Sequence, residues 1–220
     1  GVVGFAGQVP TFFASPLAGI LADRYPHRRA LVITQTLSIL QASLLAFLVI
    51  SQNITVWQII VLSIFLGLIN GFDMPIRQAF TIEMVDDKEN LSNAIALNAS
   101  MVNLARLIGP SIAGVLIVTV GEGLCFLINA ISYIPVVLCL LAMKIKPRAL
   151  EPPTLHLFAE LKKGFLYAIR FLPIKHILLL LAWVNFLGTP YQVLMPIFAR
   201  DIFHGGPQTL SLLAAMAGAG

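Results

Sequence analysis

The chain has 220 residues, of which 58% are hydrophobic and only 11% are charged, and its mean hydropathy is +0.91. Soluble domains are about 25% charged, so this chain has too few charged side chains to cover the surface of a soluble fold. Its net charge of +4 does not indicate nucleic-acid binding, because the basic residues lie in loops between apolar segments. The composition predicts an all-α integral membrane protein in contact with the lipid bilayer and no nucleic-acid partner.

The charged residues divide the chain into long apolar segments. No Asp, Glu, Lys or Arg occurs before Asp23, and none occurs between Arg29 and Asp73. A bilayer core about 30 Å thick needs ~20 apolar residues per helix. The first segment therefore holds one span and the second holds two. The complete pattern predicts six spans, followed by the start of a seventh near residue 208, at 2–21, 30–50, 55–79, 94–119, 122–143 and 174–199.

The connections between these spans alternate between two faces. Of the 14 Lys and Arg residues, 11 lie on the face formed by the loops 23–29, 81–93 and 144–173, and only Arg200 lies on the other. We call the first of these the basic face. The positive-inside rule predicts that the basic face is cytoplasmic. Residue 1 then lies on the external side, so we expect the chain to begin at the second span of a longer protein.

The loop 144–173 is long enough to contain structure of its own. Pro147, Pro152 and Pro153 form a linker, and the apolar side chains after them recur at helical spacing opposite charged ones. This pattern predicts an amphipathic helix on the membrane interface, with a partner-binding helix as the alternative. The apolar positions are Phe158, Leu161, Phe165 and Ile169, and the charged ones are Glu160, Lys162, Lys163 and Arg170.

Two motifs carry a family resemblance. Residues 19–29, with Pro26 where Gly is common, resemble the loop signature between the second and third transmembrane helices of the major facilitator superfamily. The fourth span resembles the Gly-Pro motif of its exporters, and the segments 73–80, 93–98 and 126–133 resemble its branch with the enterobactin exporter and the transmembrane secretion effectors. The signature residues are Gly19, Leu21, Ala22, Asp23, Arg24, Arg28 and Arg29, and those of the exporter motif are Gly109, Pro110 and Gly114.

The resemblance implies a bundle of two six-helix halves. Residues 1–143 would form most of the N-terminal half without its first span, 144–173 the cytoplasmic linker, and 174–220 the start of the C-terminal half. It also implies a secondary active exporter that works by alternating access in the bacterial plasma membrane. We expect a siderophore, drug-like or other small amphiphilic substrate, protons as coupling ion, and no cofactor or metal. A lipid or lysolipid flippase and a non-transporting scaffold are the alternatives.

The loop signature has two interpretations. It is either a solvated turn that follows the positive-inside rule or a gate latch that is made when the cytoplasmic side is closed. In the latch, Gly19 and Ala22 would allow close helix approach, and Asp23 would accept hydrogen bonds from an opposing helix or pair with an Arg.

Polar groups inside the spans are costly and are candidates for function. Asp73 and Arg106 are expected at similar depths, so they could form a structural ion pair. Alternatively, Asp73 titrates during transport, or Arg106 faces a cavity and meets an anionic substrate. Gly109 and Pro110 predict either an inert kink or a hinge. Arg77 is a further charged candidate, and the polar candidates for the cavity are Asn70, Asn98, Asn103 and Asn129.

An enzymatic function is not expected. The chain contains no phosphate-binding Gly-rich loop followed by Lys-Ser or Lys-Thr. An intramembrane serine protease would need a base near its nucleophile, and only Ser111 lies in a loosely similar motif. The histidines lie in loops or near helix ends. Cys125 and Cys139 lie in apolar stretches, which favours a packing role over a disulfide.

Overall fold

A computed structural model describes residues 2–85, 88–143, 157–188, 190–204 and 206–219. These residues form helices and short connections, and the described part contains no strand. The α-helices are α1 (Val2–Arg24), α2 (His27–Ile50), α3 (Val56–Glu83), α4 (Leu91–Val120), α5 (Glu122–Ala142), α6 (Leu157–Arg170), α7 (Leu172–Gly188), α8 (Pro190–Ile197) and α9 (Pro207–Ala219).

The first five helices coincide with the first five predicted spans to within four residues. Helices α2, α3, α4 and α5 are long and apolar enough to cross a membrane. Within the predicted span 174–199, the described residues are helical: α7 covers the part up to Gly188, α8 covers Pro190–Ile197, and a π-helical turn follows from Phe198. Pro196 lies inside α8, and a proline removes a backbone donor from a helix.

The predicted helix of the linker is present as α6. The segment Gly164–Arg170 meets Leu172–Gly188 at an angle of 95°, so α6 does not continue the direction of α7. The side chains of 157–161 and of Lys163, which include half of the predicted amphipathic pattern, lie outside the described residues. The proline-rich part of the linker, at 144–156, also lies outside them.

Helices α1 and α3 pack closely because glycines remove side chains from their interface. A Cβ atom built on Gly67 would lie 2.1 Å from the backbone oxygen of Gly7, and one on Gly71 would lie 2.6 Å from the Cβ of Ala14. Thr11 Oγ1 donates to the Gly67 carbonyl across this interface at 2.8 Å. In a membrane, small residues and interhelical hydrogen bonds of this kind hold helices together.

Helix α2 packs against both α3 and α5. Near the basic face these three helices enclose a small apolar core, in which each side chain is at most 6% exposed. Its member on α2 follows the loop signature by two positions, and Ala30, Val32 and Phe72 pack against the core. Its members are Leu31, Ile76, Phe80 and Leu140.

Helix α4 is the most open of the membrane-length helices. It contacts α9 extensively but α3 and α5 only weakly. Only 6% of its most apolar 18-residue stretch is buried against described residues. Helix α9 follows the linker in sequence, so the contact joins segments on either side of the linker. Helix α6 also contacts α1.

Candidate functional site

The loop signature folds as a very short turn between α1 and α2. Helix α1 ends at Arg24 and α2 begins at His27, with Tyr25 and Pro26 between them. Basic side chains then occupy the first turn of α2, without an acidic residue in that turn. Cations are unfavourable at a helix N-terminus because the positive end of the macrodipole lies there. Two contacts with other helices compensate for this placement.

The first contact joins His27 to Glu83 at the end of α3. His27 Nδ1 and Glu83 Oε2 are hydrogen-bonded, and the His27 side chain is 1% exposed. Because a carboxylate can only accept, Nδ1 carries the proton in this contact. The other ring nitrogen, Nε2, is buried and has no hydrogen-bond partner within the described ranges. The orientation of the His27 ring therefore depends on Glu83.

The second contact joins Arg28 to the end of α5. Arg28 Nε donates to the Leu140 carbonyl at 2.5 Å, and Nη2 donates to the Leu141 carbonyl at 2.5 Å. Helix α5 ends at Ala142, so these carbonyls belong to its last turn. A guanidinium satisfies unpaired carbonyls there and interacts favourably with the negative end of the dipole. We call His27, Arg28, Glu83 and the two carbonyls the basic-face latch.

Several signature residues do not take part in these contacts. Arg29 is exposed, and Arg24 and Leu21 are half-buried. No described atom lies within 4 Å of a Cβ built on Gly19, so close helix approach at Gly19 stays a prediction. The side chains of Ala22 and Asp23 lie outside the described residues, and the predicted role of Asp23 stays a prediction as well.

A buried carboxylate lies deeper between α2 and α3. Asp73 is 4% exposed and accepts hydrogen bonds at Oδ1 from Thr34 Oγ1 at 2.7 Å and from Gln35 Nε2 at 2.8 Å. Its Oδ2 is paired with Arg77 Nη2, one helical turn further along α3. Both carboxylate oxygens of Asp73 thus have a partner, and these partners come from α2 and from α3 itself.

The structure does not pair Asp73 with Arg106. Asp73 has its ion pair with Arg77, while Arg106 is exposed and makes no hydrogen bond or ion pair in the part of the chain that is described. The expectation of a structural Asp73–Arg106 pair is therefore wrong for this structure. Asp73 and Arg77 are four residues apart on one helix, so their side chains lie on the same face of α3. They can pair wherever α4 lies, whereas a pair with Arg106 requires α4 to have a particular rotation.

The polar residues of α2 share one buried face. Thr34, Gln35, Ser38 and Gln41 are all buried, and Gln41 Nε2 donates to the Leu62 carbonyl of α3 at 3.4 Å. Together with His27, these residues place polar contacts with α3 at positions 27, 34 and 41, which are seven residues apart. A seven-residue interval is two helical turns, so each contact falls on the same side of α2. The contacts fix the register of α2 against α3.

The exporter-type motif lies on α4, which runs through Pro110 without a break. Gly114 is buried, whereas Gly109 faces open space, with no described atom within 4 Å of a built Cβ. Of the candidate cavity residues, Asn70 is half-buried, and three others are exposed: Asn98, Asn103 and Asn129. Open space at Gly109 is compatible with a hinge or with a bound molecule at this position.

Four residues of these contacts were not among the predicted site residues: His27 and Glu83 of the latch, and Thr34 and Gln35, which donate to Asp73. The sequence signal for them is the recurrence of polar side chains at positions 27, 34 and 41 within otherwise apolar sequence. A second overlooked signal is the pair Gly67 and Gly71, four residues apart in an apolar span, which is a known helix-association pattern.

The whole chain, residues 1–220, matches the family model described as transmembrane secretion effector. The chain belongs to this family of the major facilitator superfamily. The resemblance predicted from the loop signature and the exporter motif is confirmed. The family and its relatives are transporters rather than enzymes, and the chain is a multi-pass integral membrane protein whose bacterial relatives point to the plasma membrane.

Curated relatives include two kinds of exporter and a siderophore transporter. The staphyloferrin A transporter of Staphylococcus aureus is 28% identical over 221 residues, which cover 100% of this chain and 55% of that protein. Macrolide efflux protein A of Enterococcus faecalis is 19% identical, covering 94% and 64%. Multidrug efflux pump Tap of Mycolicibacterium fortuitum is 28% identical over 124 residues, covering 54% and 30%. The chain thus spans about half the length of the curated relatives it matches.

Proposed function

We propose that this chain forms the gated part of a secondary active exporter that moves a siderophore, drug-like or other small amphiphilic molecule by alternating access. The single observation that supports this most is the basic-face latch, which joins the first turn of α2 to the last turns of α3 and α5. The names of the relatives support the export of small molecules.

The latch fits a gate because its contacts are polar and lie at helix ends. Rigid-body motion of a helix group that contains α2 and α3 against α5 would break the Arg28 contacts at the basic face without unfolding a helix, while the His27–Glu83 contact would stay inside the moving group. The glycine interface between α1 and α3 and the polar contacts between α2 and α3 hold these three helices as one group. Opening would therefore separate this group from α5 or from the rest of the transporter.

We further propose that protons drive the export. Asp73 is a buried intramembrane carboxylate, and groups of this kind serve as proton relays in transporters. In its ionised form Asp73 has three partners, so protonation would release Arg77 and change the contact between α2 and α3. Proton binding would be coupled to transport if the two protonation states of Asp73 favoured different conformations of the gate.

The test uses cells that produce the full-length protein and are loaded with one of three molecules: a catecholate siderophore, staphyloferrin A or a macrolide. We expect efflux of at least one of them that stops when an uncoupler collapses the proton gradient. Efflux that persists with the uncoupler would refute proton coupling. Absence of efflux for the whole panel, despite normal membrane expression, would refute the exporter and favour the flippase or the scaffold.

A further inference from the structure

Arg106 lies in the middle of the open helix α4. Fifteen residues separate it from the start of the helix at Leu91, and fourteen separate it from the end at Val120. At ~1.5 Å per residue, roughly 22 Å of helix lies on either side of Arg106. Its Cα is therefore close to the middle of the bilayer, where an ionised side chain is costly.

No described residue compensates this charge. The interiors of α3 and α4 hold one carboxylate and two arginines, and Asp73 is already paired with Arg77. Arg106 is exposed and has no hydrogen bond or ion pair within the described chain. The positive charge of Arg106 at mid-membrane depth therefore needs a compensating partner from outside the described residues. Lipid tails cannot supply that group, so the side chain should face the protein interior or a water-filled cavity.

The surroundings of Arg106 on α4 leave room for a ligand. Asn103, three residues before it, is exposed, and no described atom lies within 4 Å of a Cβ built on Gly109, three residues after it. Residues three apart lie on neighbouring positions of one helix face. This face therefore presents a cation, an amide and an uncovered stretch of backbone. Helix α4 also contacts α9, which follows the linker, and transporter substrates bind near the bilayer midplane between the two halves.

We propose that Arg106 and Asn103 bind an anionic group, such as a carboxylate, of the transported molecule. A guanidinium binds a carboxylate through two parallel hydrogen bonds, and the amide supplies a further donor. The exported substrate is then an anion, and a lipophilic cation is not its preferred cargo. This inference rests on the proposed export function and specifies the substrate class.

The test uses the full-length protein in phosphatidylcholine proteoliposomes with an imposed proton gradient. Transport of carboxyfluorescein, an anion, is compared with that of ethidium, a cation, and with translocation of a fluorescent phosphatidylglycerol. The variants are Arg106→Gln, Arg106→Lys and the control Arg200→Gln, which removes an exposed arginine whose side chain is 89% exposed.

We expect Arg106→Gln to lower carboxyfluorescein transport at least tenfold, mainly through KM, and to change ethidium transport less than twofold. Arg106→Lys should restore part of the loss, because it keeps the charge without the two parallel hydrogen bonds. Arg200→Gln should behave like the wild type with all probes.

Three results would overturn the inference and leave the exporter standing. They are transport of ethidium or the macrolide without carboxyfluorescein, an equal loss of both probes in Arg106→Gln, and an effect confined to phosphatidylglycerol. The last would assign the anionic group to a lipid headgroup. If neither the probes nor any molecule of the efflux panel moves, the proposed export function itself fails.

Discussion

His27 and Glu83, 56 positions apart in the sequence, meet where α2 begins and α3 ends. Along their helices, His27 is four residues from Leu31 and Glu83 is three residues from Phe80, two members of the small apolar core that α2, α3 and α5 share. Because His27 is almost fully buried and only its Nδ1 has a hydrogen-bond partner among the described residues, removal of the Glu83 carboxylate would leave both ring nitrogens buried without one. The latch is therefore sensitive to changes in this one carboxylate.

Replacing Glu83 with Ala should loosen the basic face. The change leaves the buried Nδ1–H of His27 without an acceptor, which costs about 1 to 3 kcal/mol. We expect a single cysteine at Ile76, which is 4% exposed in the core below the latch, to react faster with a membrane-impermeant maleimide. The measurement is the labelling rate from the basic face in a background without Cys125 and Cys139.

Glu89→Ala is the control for this experiment, since Glu89 is an exposed acidic residue on the same face. It should leave the labelling rate of the cysteine at position 76 unchanged. If both variants label at the wild-type rate, the contact between His27 and Glu83 does not hold the core closed.

Replacing Arg28 with Ala should destabilise the attachment of α5. Two donors to the last-turn carbonyls of α5 are lost, and hydrogen bonds from a charged donor contribute about 1.5 to 3 kcal/mol when protected from water. Arg28 is half-buried, so we expect about 1 kcal/mol. The measurement is thermal unfolding of the purified protein in detergent. Arg29→Ala, at the exposed neighbouring residue, should have no effect, and equal destabilisation by both variants would argue against the cap.

The helices and the family were predictable from the sequence, because each membrane span requires a long apolar segment and the charged turn carries the family signature. The side-chain partners inside the bundle were not predictable. The depth estimate allowed Asp73 to pair with Arg106, but helix rotation decides which residues meet, and a short-range partner at Arg77 was available. The position of His27 in the signature suggested a loop residue, whereas the turn is so short that His27 lies inside α2 and is buried.

A double-mutant cycle should show that Asp73 is coupled to Arg77 and not to Arg106. In Asp73→Asn, the amide can keep its oxygen towards Thr34 and Gln35, but its NH2 group then faces the donors of Arg77. We expect loss of transport with normal membrane expression. Adding Arg77→Gln should recover part of the loss, with a coupling above about 0.5 kcal/mol.

Adding Arg106→Gln to Asp73→Asn should instead give additive losses, because the two residues share no contact. The measurement is the transport rate of the two single variants and the double variant of each pair. Coupling of Asp73 to Arg106 as strong as that to Arg77 would contradict the arrangement described above.

Replacing Gly67 with Ala should destabilise the protein although alanine favours helices. The new Cβ would lie 2.1 Å from the Gly7 backbone oxygen, so α1 and α3 must move apart, and overpacking of this kind costs about 1 to 3 kcal/mol. The control is Gly4→Ala on α1, the helix of Gly7, where a new Cβ meets no described atom within 4 Å. It should be neutral or stabilising, since alanine exceeds glycine in helix propensity by about 1 kcal/mol. The measurement is thermal unfolding of both variants in one detergent. If Gly67→Ala raised stability as Gly4→Ala does, helices α1 and α3 would not be in close contact, and the rigid helix group that the gate requires would be lost.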